Sequence, residues 1–324
     1  MPNNFRKIEN QEEWRALLGK VLFKTFFHSW EWEEFLEKNF KWLKFERYNW
    51  RNQGLLSLAR VKVFGKEKLI SHPFCEYGGP LPLVDKINAG DFKQDLFSEF
   101  KDPIRISFHP RLLDYFQDEQ KNVFSSSGRV SFATYSLYLR KTTRHEIEKA
   151  KTSNLKIEKC QNIEDLKNFY NLYIRSVRKH RIPAYPFPFF EYFAASPAAE
   201  IILVKKNGRV IAGSVFLLYD KCIQYFLNAS SSKGAQERAN YLILWDQMDK
   251  YCGKGLSFDL GGTRKNSSLS IFKQGFGTAP VEIYEIKNLT ENKENKFSLA
   301  RKIWTIMPLF LIKKYSPYLL KYKL

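Results

Sequence analysis

Apolar residues recur at helical spacing in some stretches of the chain and alternate at strand spacing in others. Residues 12–18 and 30–40 carry helical patterns, the second with Trp32, Phe35 and Leu36 on one face. Residues 87–100 also read as a helix. The strongest amphipathic pattern lies over 163–180, where Leu166, Phe169, Tyr170 and Tyr173 sit three and four positions apart. Further helices are predicted over 144–152, 188–195 and 240–253. Strand-like runs fill 44–49, 55–64, 68–72, 104–108 and 132–139, then 201–205, 210–219, 224–229, 257–260 and 281–286. Asn207-Gly208 separates two of these runs, and such a pair tolerates the positive φ angles that close a tight hairpin.

The order of elements repeats. Each half runs helices, then an antiparallel meander, then a helix, then further strands. That order predicts an α+β protein with two copies of one unit rather than a doubly wound parallel sheet. The units are placed at 1–143 and 144–288, with a C-terminal segment at 289–324. Residues 140–159 form a basic connector. Residues 297–324 are aromatic and basic and contain no Asp or Glu. Pro308 and Pro317 are expected to break this tail into short helices, packed on the first unit.

Composition narrows the class. The 324 residues are 44% apolar and 27% charged, as in a soluble globular chain long enough for two domains. A net charge of +19 favours anionic partners: nucleic acid, nucleotide phosphates or anionic lipid. A merely lysine-rich composition would have the same balance. Cys75, Cys160, Cys222 and Cys252 form no CxxC pair and no zinc-spaced cluster with histidine. Residues 1–20 lack a signal-peptide core, and no apolar run is long enough to span a bilayer as a helix. A cytoplasmic monomer without structural disulfides is expected.

The candidate chemistry centres on residues 258–277. Phe258-Asp259-Leu260-Gly261-Gly262-Thr263-Arg264 joins an acid, two glycines and an arginine, and Phe272-Lys273 then precedes Phe276-Gly277. Earlier come Ser29-Trp30-Glu31-Trp32, Ser71-His72-Pro73-Phe74, Tyr77-Gly78-Gly79-Pro80, a Lys141–Ala150 basic stretch, Ile182-Pro183, Phe189-Phe190, and Asn240 before Trp245. In that order these motifs resemble the FemAB (FemABX) superfamily over roughly residues 23–308. The resemblance implies two tandem GNAT-like domains with mixed, largely antiparallel sheets. It also implies amino-acid transfer from aminoacyl-tRNA to an amine of a cell-wall or envelope precursor carrying a nucleotide or lipid pyrophosphate. No long charged hairpin interrupts residues 162–277, so the chain resembles the compact, armless form.

Two departures from the pattern bear on substrates. Where GNAT enzymes carry a glycine-rich CoA pyrophosphate loop, the chain reads Lys233-Gly234-Ala235-Gln236-Glu237-Arg238-Ala239, so no cofactor is expected and CoA is the less favoured donor. Where family members acting on wall precursors can carry Asp-Pro, the chain has His109-Pro110. A CoA- or carrier-dependent transferase of an envelope sugar, or a non-catalytic RNA- or membrane-binding protein on the same fold, remain the competing readings.

Acyl transfer to an amine needs oxyanion stabilisation, a deprotonated nucleophile and placement. Lys273 is the first candidate for the oxyanion, against the alternative of an exposed turn lysine. Asp259 can accept a proton or orient Arg264, or cap the next turn. Arg264 is a candidate phosphate clamp, and Phe272 flanks Lys273. The resemblance places phosphate-binding cations at Lys38 and Arg178; otherwise both are solvated helix positions, Arg178 complementing a helix dipole. Tyr77, Gly78 and Gly79 are read as one wall of an acceptor pocket or a structural turn, with Tyr225 and Asn228 on a strand facing it. The basic connector and tail could follow a tRNA backbone, and the tail could alternatively touch an anionic bilayer.

Overall fold

A computed structural model describes residues 4–63, 65–118, 123–134, 138–252, 254–288, 304 and 306–322. The first half contains β1 (Phe5–Ile8), α1 (Gln11–Leu18), α2 (Trp30–Asn39), β2 (Leu43–Trp50), β3 (Gly54–Val63), β4 (Lys66–Ile70), β5 (Leu81–Pro82), β6 (Ile87–Asn88), α3 (Ala89–Glu99), β7 (Ile104–Ser107), β8 (Phe116–Gln117) and β9 (Ser125–Thr134). The second contains α4 (Lys141–Lys151), β10 (Lys156–Lys159), α5 (Ile163–His180), α6 (Phe187–Ala195), β11 (Ala199–Lys206), β12 (Arg209–Tyr219), β13 (Cys222–Ser230), α7 (Ser232–Gln236), α8 (Ala239–Tyr251), β14 (Ser257–Arg264), α9 (Ser268–Gln274) and β15 (Ala279–Lys287). A last helix runs over Leu309–Leu319.

The halves share one mixed sheet in the order β1-β2-β3-β4-β7-β15-β9-β14-β13-β12-β11-β10. Each half begins as an antiparallel meander, closes with one parallel contact, β4 to β7 or β13 to β14, and bridges it with a helical crossover. Past that contact the halves exchange strands. β9 pairs with β14 and β15, while β15 pairs with β7 as well as β9. A cut between residues 143 and 144 therefore separates β9 from both strands it pairs with.

Local chemistry explains the elements that hold the site. Asn162 caps α5 by accepting from the Asp165 amide, and Arg181 ends it in the left-handed conformation. Asn207 and Gly208 both have positive φ, as a two-residue hairpin turn requires. The aromatic richness is spent on the seam between the halves. Trp32 of α2 is fully buried, with ring centroids 5.4 Å from Phe189 and 5.5 Å from Phe193 of α6, and Phe35 stacks on Tyr192 at 4.4 Å.

Some expectations change. The strand expected over 132–139 instead begins at Ser125. The strand expected over 257–260 continues through both glycines to Arg264. Pro317 lies inside the Leu309–Leu319 helix rather than breaking it; Pro308 caps it. That helix packs mainly on α5 of the second half, and only the turn at Leu320–Tyr322 lies against β3 of the first. Residues 289–303, part of the predicted tail, lie outside the described residues.

Candidate active site

The β13–β14 contact is short. Cys222, Ile223 and Gln224 pair with Ser257, Phe258 and Asp259, and the strands then part. The opening holds a cleft of about 650 Å³. Tyr225 and Asn228 line one side, Gly261 and Gly262 the other. Lys273 closes it from α9, and Glu76, Arg129, Arg105 and Lys287 reach it from the first half and the exchanged strands.

Two carboxyl groups hold the glycine pair from behind. Gly261 has φ +71°, a conformation glycine adopts without strain, and its amide donates to Asp259 Oδ1 at 2.7 Å. The Gly262 amide donates to Glu76 Oε2, and Glu76 Oε1 pairs with Arg129 at 2.8 Å. Both glycine carbonyls then turn toward Lys273, whose Nζ donates to Gly261 O at 2.8 Å and Gly262 O at 3.2 Å.

Asp259 is 1% exposed. The Tyr77 hydroxyl donates to its carboxyl at 2.9 Å, and Ser131 Oγ lies 2.9 Å from that hydroxyl. Burial pushes Asp259 up to about 7, against the opposing hydrogen bond from Gly261. Burial also pulls Lys273 below its usual range, with the charges of Glu76 and Asp259 opposing that shift. His109, 3.9 Å from Asp259 Oδ2, is pushed down to about 3 by burial and stays neutral.

Lys273, Tyr225 and Asn228 come together in the cleft as the sequence suggested. Lys273 differs in setting: it is 4% exposed and helical, not an exposed turn residue. Its neighbour Phe272 points elsewhere, packing on Tyr241 and Phe276 at 4.9 and 5.3 Å. Asp259 lies behind the wall rather than in it. Tyr77, Gly78 and Gly79 are also behind it. Gly78 is seated against His72, where a Cβ would lie 2.6 Å from that side chain, and the Gly79 carbonyl faces His28 Nε2 at 3.3 Å. The members of that loop that line the cleft are Phe74, Cys75 and Glu76. Arg264 ends β14 exposed and opposite Arg129; Lys38 is exposed on α2; Arg178 is half-buried on α5. None of these three lines the cleft.

Sequence reasoning missed Glu76, Arg129, Arg105 and Lys287. Lys287 and Arg105 face one another across the β15–β7 pairing, which only the exchanged strand creates. Among the described residues no group of three or more His, Cys, Asp or Glu can hold a metal ion, and no helix is long and apolar enough to cross a membrane.

In the α7 turn just before α8, where a GNAT pyrophosphate loop would lie, several amides are bonded within the chain, while α8 itself opens at Arg238 without a side-chain cap. Ser231 Oγ accepts from the Gly234 amide at 3.0 Å, and the Ala235 and Glu237 amides donate to Ser231 and Lys233 carbonyls. Glu237 pairs with Lys206 at 2.7 Å and Lys233 at 2.8 Å, and Arg238 pairs with Glu146.

Two repeated units with splayed parallel strands define a tandem GNAT-fold protein. Residues 139–270, from α4 into α9, match the family model for the acetyltransferase (GNAT) domain, so the chain carries a GNAT acyltransferase domain. FemX superposes with a TM-score of 0.61 at 14% identity, over 91% of this chain and 100% of FemX. L-PGS from Bacillus licheniformis gives 0.55 at 14% identity, over 92% and 97%. A tandem GNAT protein from the clavulanic acid biosynthesis pathway gives 0.50 at 9% identity, over 89% and 99%. No curated protein sequence matches the chain.

Proposed function

We propose that the chain is an N-acyltransferase that moves an amino acid from aminoacyl-tRNA to an amine of a cell-wall or envelope precursor bearing a nucleotide or lipid pyrophosphate, with transfer in the β13–β14 cleft. The observation that carries this reading is the Lys273 ammonium. It has three N–H donors, two given to Gly261 and Gly262, and its side chain lines the cleft, so one donor is left for an oxyanion forming there. An aminoacyl ester is already activated and needs no covalent enzyme intermediate. The amine attacks the ester carbonyl, the tetrahedral oxyanion rests on Lys273, and the ester C–O bond breaks as the ribose oxygen takes up the proton that the amine has released, leaving as a hydroxyl. Two carboxylates line the cleft, Glu76 and Glu285; Glu285 pairs with Lys287, whereas Glu76 bonds Gly262, whose carbonyl holds Lys273, so Glu76 is the candidate to take the proton the amine releases.

Asp259 acts in this scheme as a positioning residue. It fixes Gly261, and Gly261 fixes Lys273. Arg105 and Lys287 supply positive charge at the far end of the cleft for an anionic acceptor. Aminoacyl-tRNA is favoured over CoA because the Gly234, Ala235 and Glu237 amides of the turn before α8 are bonded within the chain and the Glu237 carboxylate stands among them, where it would repel a pyrophosphate. FemX, which has the same fold, adds fold-level analogy only.

The donor is tested by incubating the protein with labelled aminoacyl-tRNA and amine-bearing precursors, and in parallel with acetyl-CoA. Label transferred from the tRNA supports the reading. Transfer from acetyl-CoA alone assigns the donor to CoA.

A further inference from the structure

The Leu309–Leu319 helix lies along α5 in the opposite direction. Trp304 Nε1 donates to the carbonyl of Ile182 at one end, and Lys313 Nζ donates to Asn171 Oδ1 at 2.7 Å further along. Ile312, Ser316 and Leu320, four residues apart, are buried. The opposite face repeats the same spacing but faces solvent: Phe310 is 67% exposed, Lys314 is exposed and Tyr318 is 67% exposed, with Ile306 at 80% one turn earlier. Tyr315, at the edge of that face, is also exposed. Such large apolar groups on one helix face are not needed for the fold, because the buried face already seats the helix.

The charges say what covers this face. Lys314 stands among the exposed aromatic rings, its Nζ 5.5 Å from the centre of the Tyr315 ring, and residues 297–324 contain no acid. A second copy would bring lysine to lysine on chains already at +19. A surface that is apolar just below and negatively charged at its face matches all of these groups. Aromatic rings settle at the headgroup level of a bilayer, and each lysine near an anionic surface adds attraction.

We propose that the exposed face of the Leu309–Leu319 helix, with Ile306, docks on an anionic phospholipid bilayer, the helix lying in the interface without crossing it. The inference stands independently of the acyl-transfer reading, since no residue of this face belongs to the cleft.

The test is co-sedimentation of the full chain with vesicles of phosphatidylcholine, with and without phosphatidylglycerol. The protein is expected to pellet with the mixed vesicles and to be released as salt is raised. Phe310→Ser with Tyr318→Ser should weaken binding by about tenfold or more, from the lost apolar contact. Lys314→Glu should weaken it by about tenfold, because it exchanges attraction for repulsion. Thermal unfolding of each variant shows whether the fold is kept; both sites are exposed, so the transitions should match wild type. Equal pelleting by wild type and the double variant overturns the proposal. So does equal pelleting with neutral and mixed vesicles, or a wild-type dimer that the double variant dissociates without any vesicle binding.

Discussion

A buried carboxyl behind Lys273 gives the site a pH signature. Asp259 is pushed from 3.8 to about 7 by burial. The folded chain therefore holds its proton more tightly than the unfolded chain does. That contribution to stability is fully present below about pH 4 and is lost as pH rises through about 7. Glu33, fully buried beside Arg47 and also pushed up to about 7, acts in the same direction. Asp259→Asn keeps one acceptor oxygen, within reach of both the Gly261 amide and the Tyr77 hydroxyl as Asp259 Oδ1 is, but cannot ionise. Urea unfolding of this variant should decline less steeply between pH 4 and 7, the difference being on the order of 3 kcal/mol. A slope identical to wild type would contradict the placement of Asp259. At the cleft surface, Glu76→Gln should lower turnover by about 10²-fold while leaving the unfolding midpoint nearly unchanged, if the carboxylate accepts the amine proton. Full turnover would remove Glu76 from that role.

The strand β14 and helix α9 act as one element, because the glycine carbonyls of one hold the lysine of the other. A Cβ on Gly262 would lie 2.7 Å from Glu76 Oε2 and 2.8 Å from Ile283 Cδ1. Gly262→Ala should therefore displace Glu76 and reduce turnover at least about tenfold, at a stability cost of about 1–3 kcal/mol. Steady-state kinetics beside thermal unfolding separate the two effects. Longer elements are legible in the sequence: the amphipathic pattern over 163–180 matches α5 to its ends, and Asn207-Gly208 marks the β11–β12 hairpin. Helix α9 is not, because seven residues are too few for a periodicity and its start rests on Ser267 capping Ser270. Lys273 lies at the cleft, on a helix rather than in the turn that its flanking glycines suggest. Glu76 carries no local signal at all; its meaning comes from Gly262, 186 positions away. The same holds for the strand exchange, since the partners of β9, β14 and β15, lie more than 100 positions later in the chain.

The whole molecule depends on an aromatic seam. Trp32 contacts Phe26, Phe27, Phe35, Phe189, Tyr192 and Phe193, so it ties α2 to α6 across the halves. Trp32→Ala should cost about 3–5 kcal/mol. Because β9 and β15 are exchanged, the halves should still unfold together in one calorimetric transition. Two separated transitions would show that the seam and the shared sheet do not couple them. The shared sheet also explains why the cleft has walls from both halves: Glu76 and Arg129 come from the first, Lys273 and the glycines from the second. The net charge of +19 favours anionic partners, and binding of any polyanion by this chain should weaken as salt is raised. The most direct test of acyl transfer in this cleft is single-turnover transfer from labelled aminoacyl-tRNA by wild type and Lys273→Ala, with folding checked by the unfolding transition. Loss of about 10²-fold or more in rate in a folded variant is the predicted result, and an unchanged rate would contradict it.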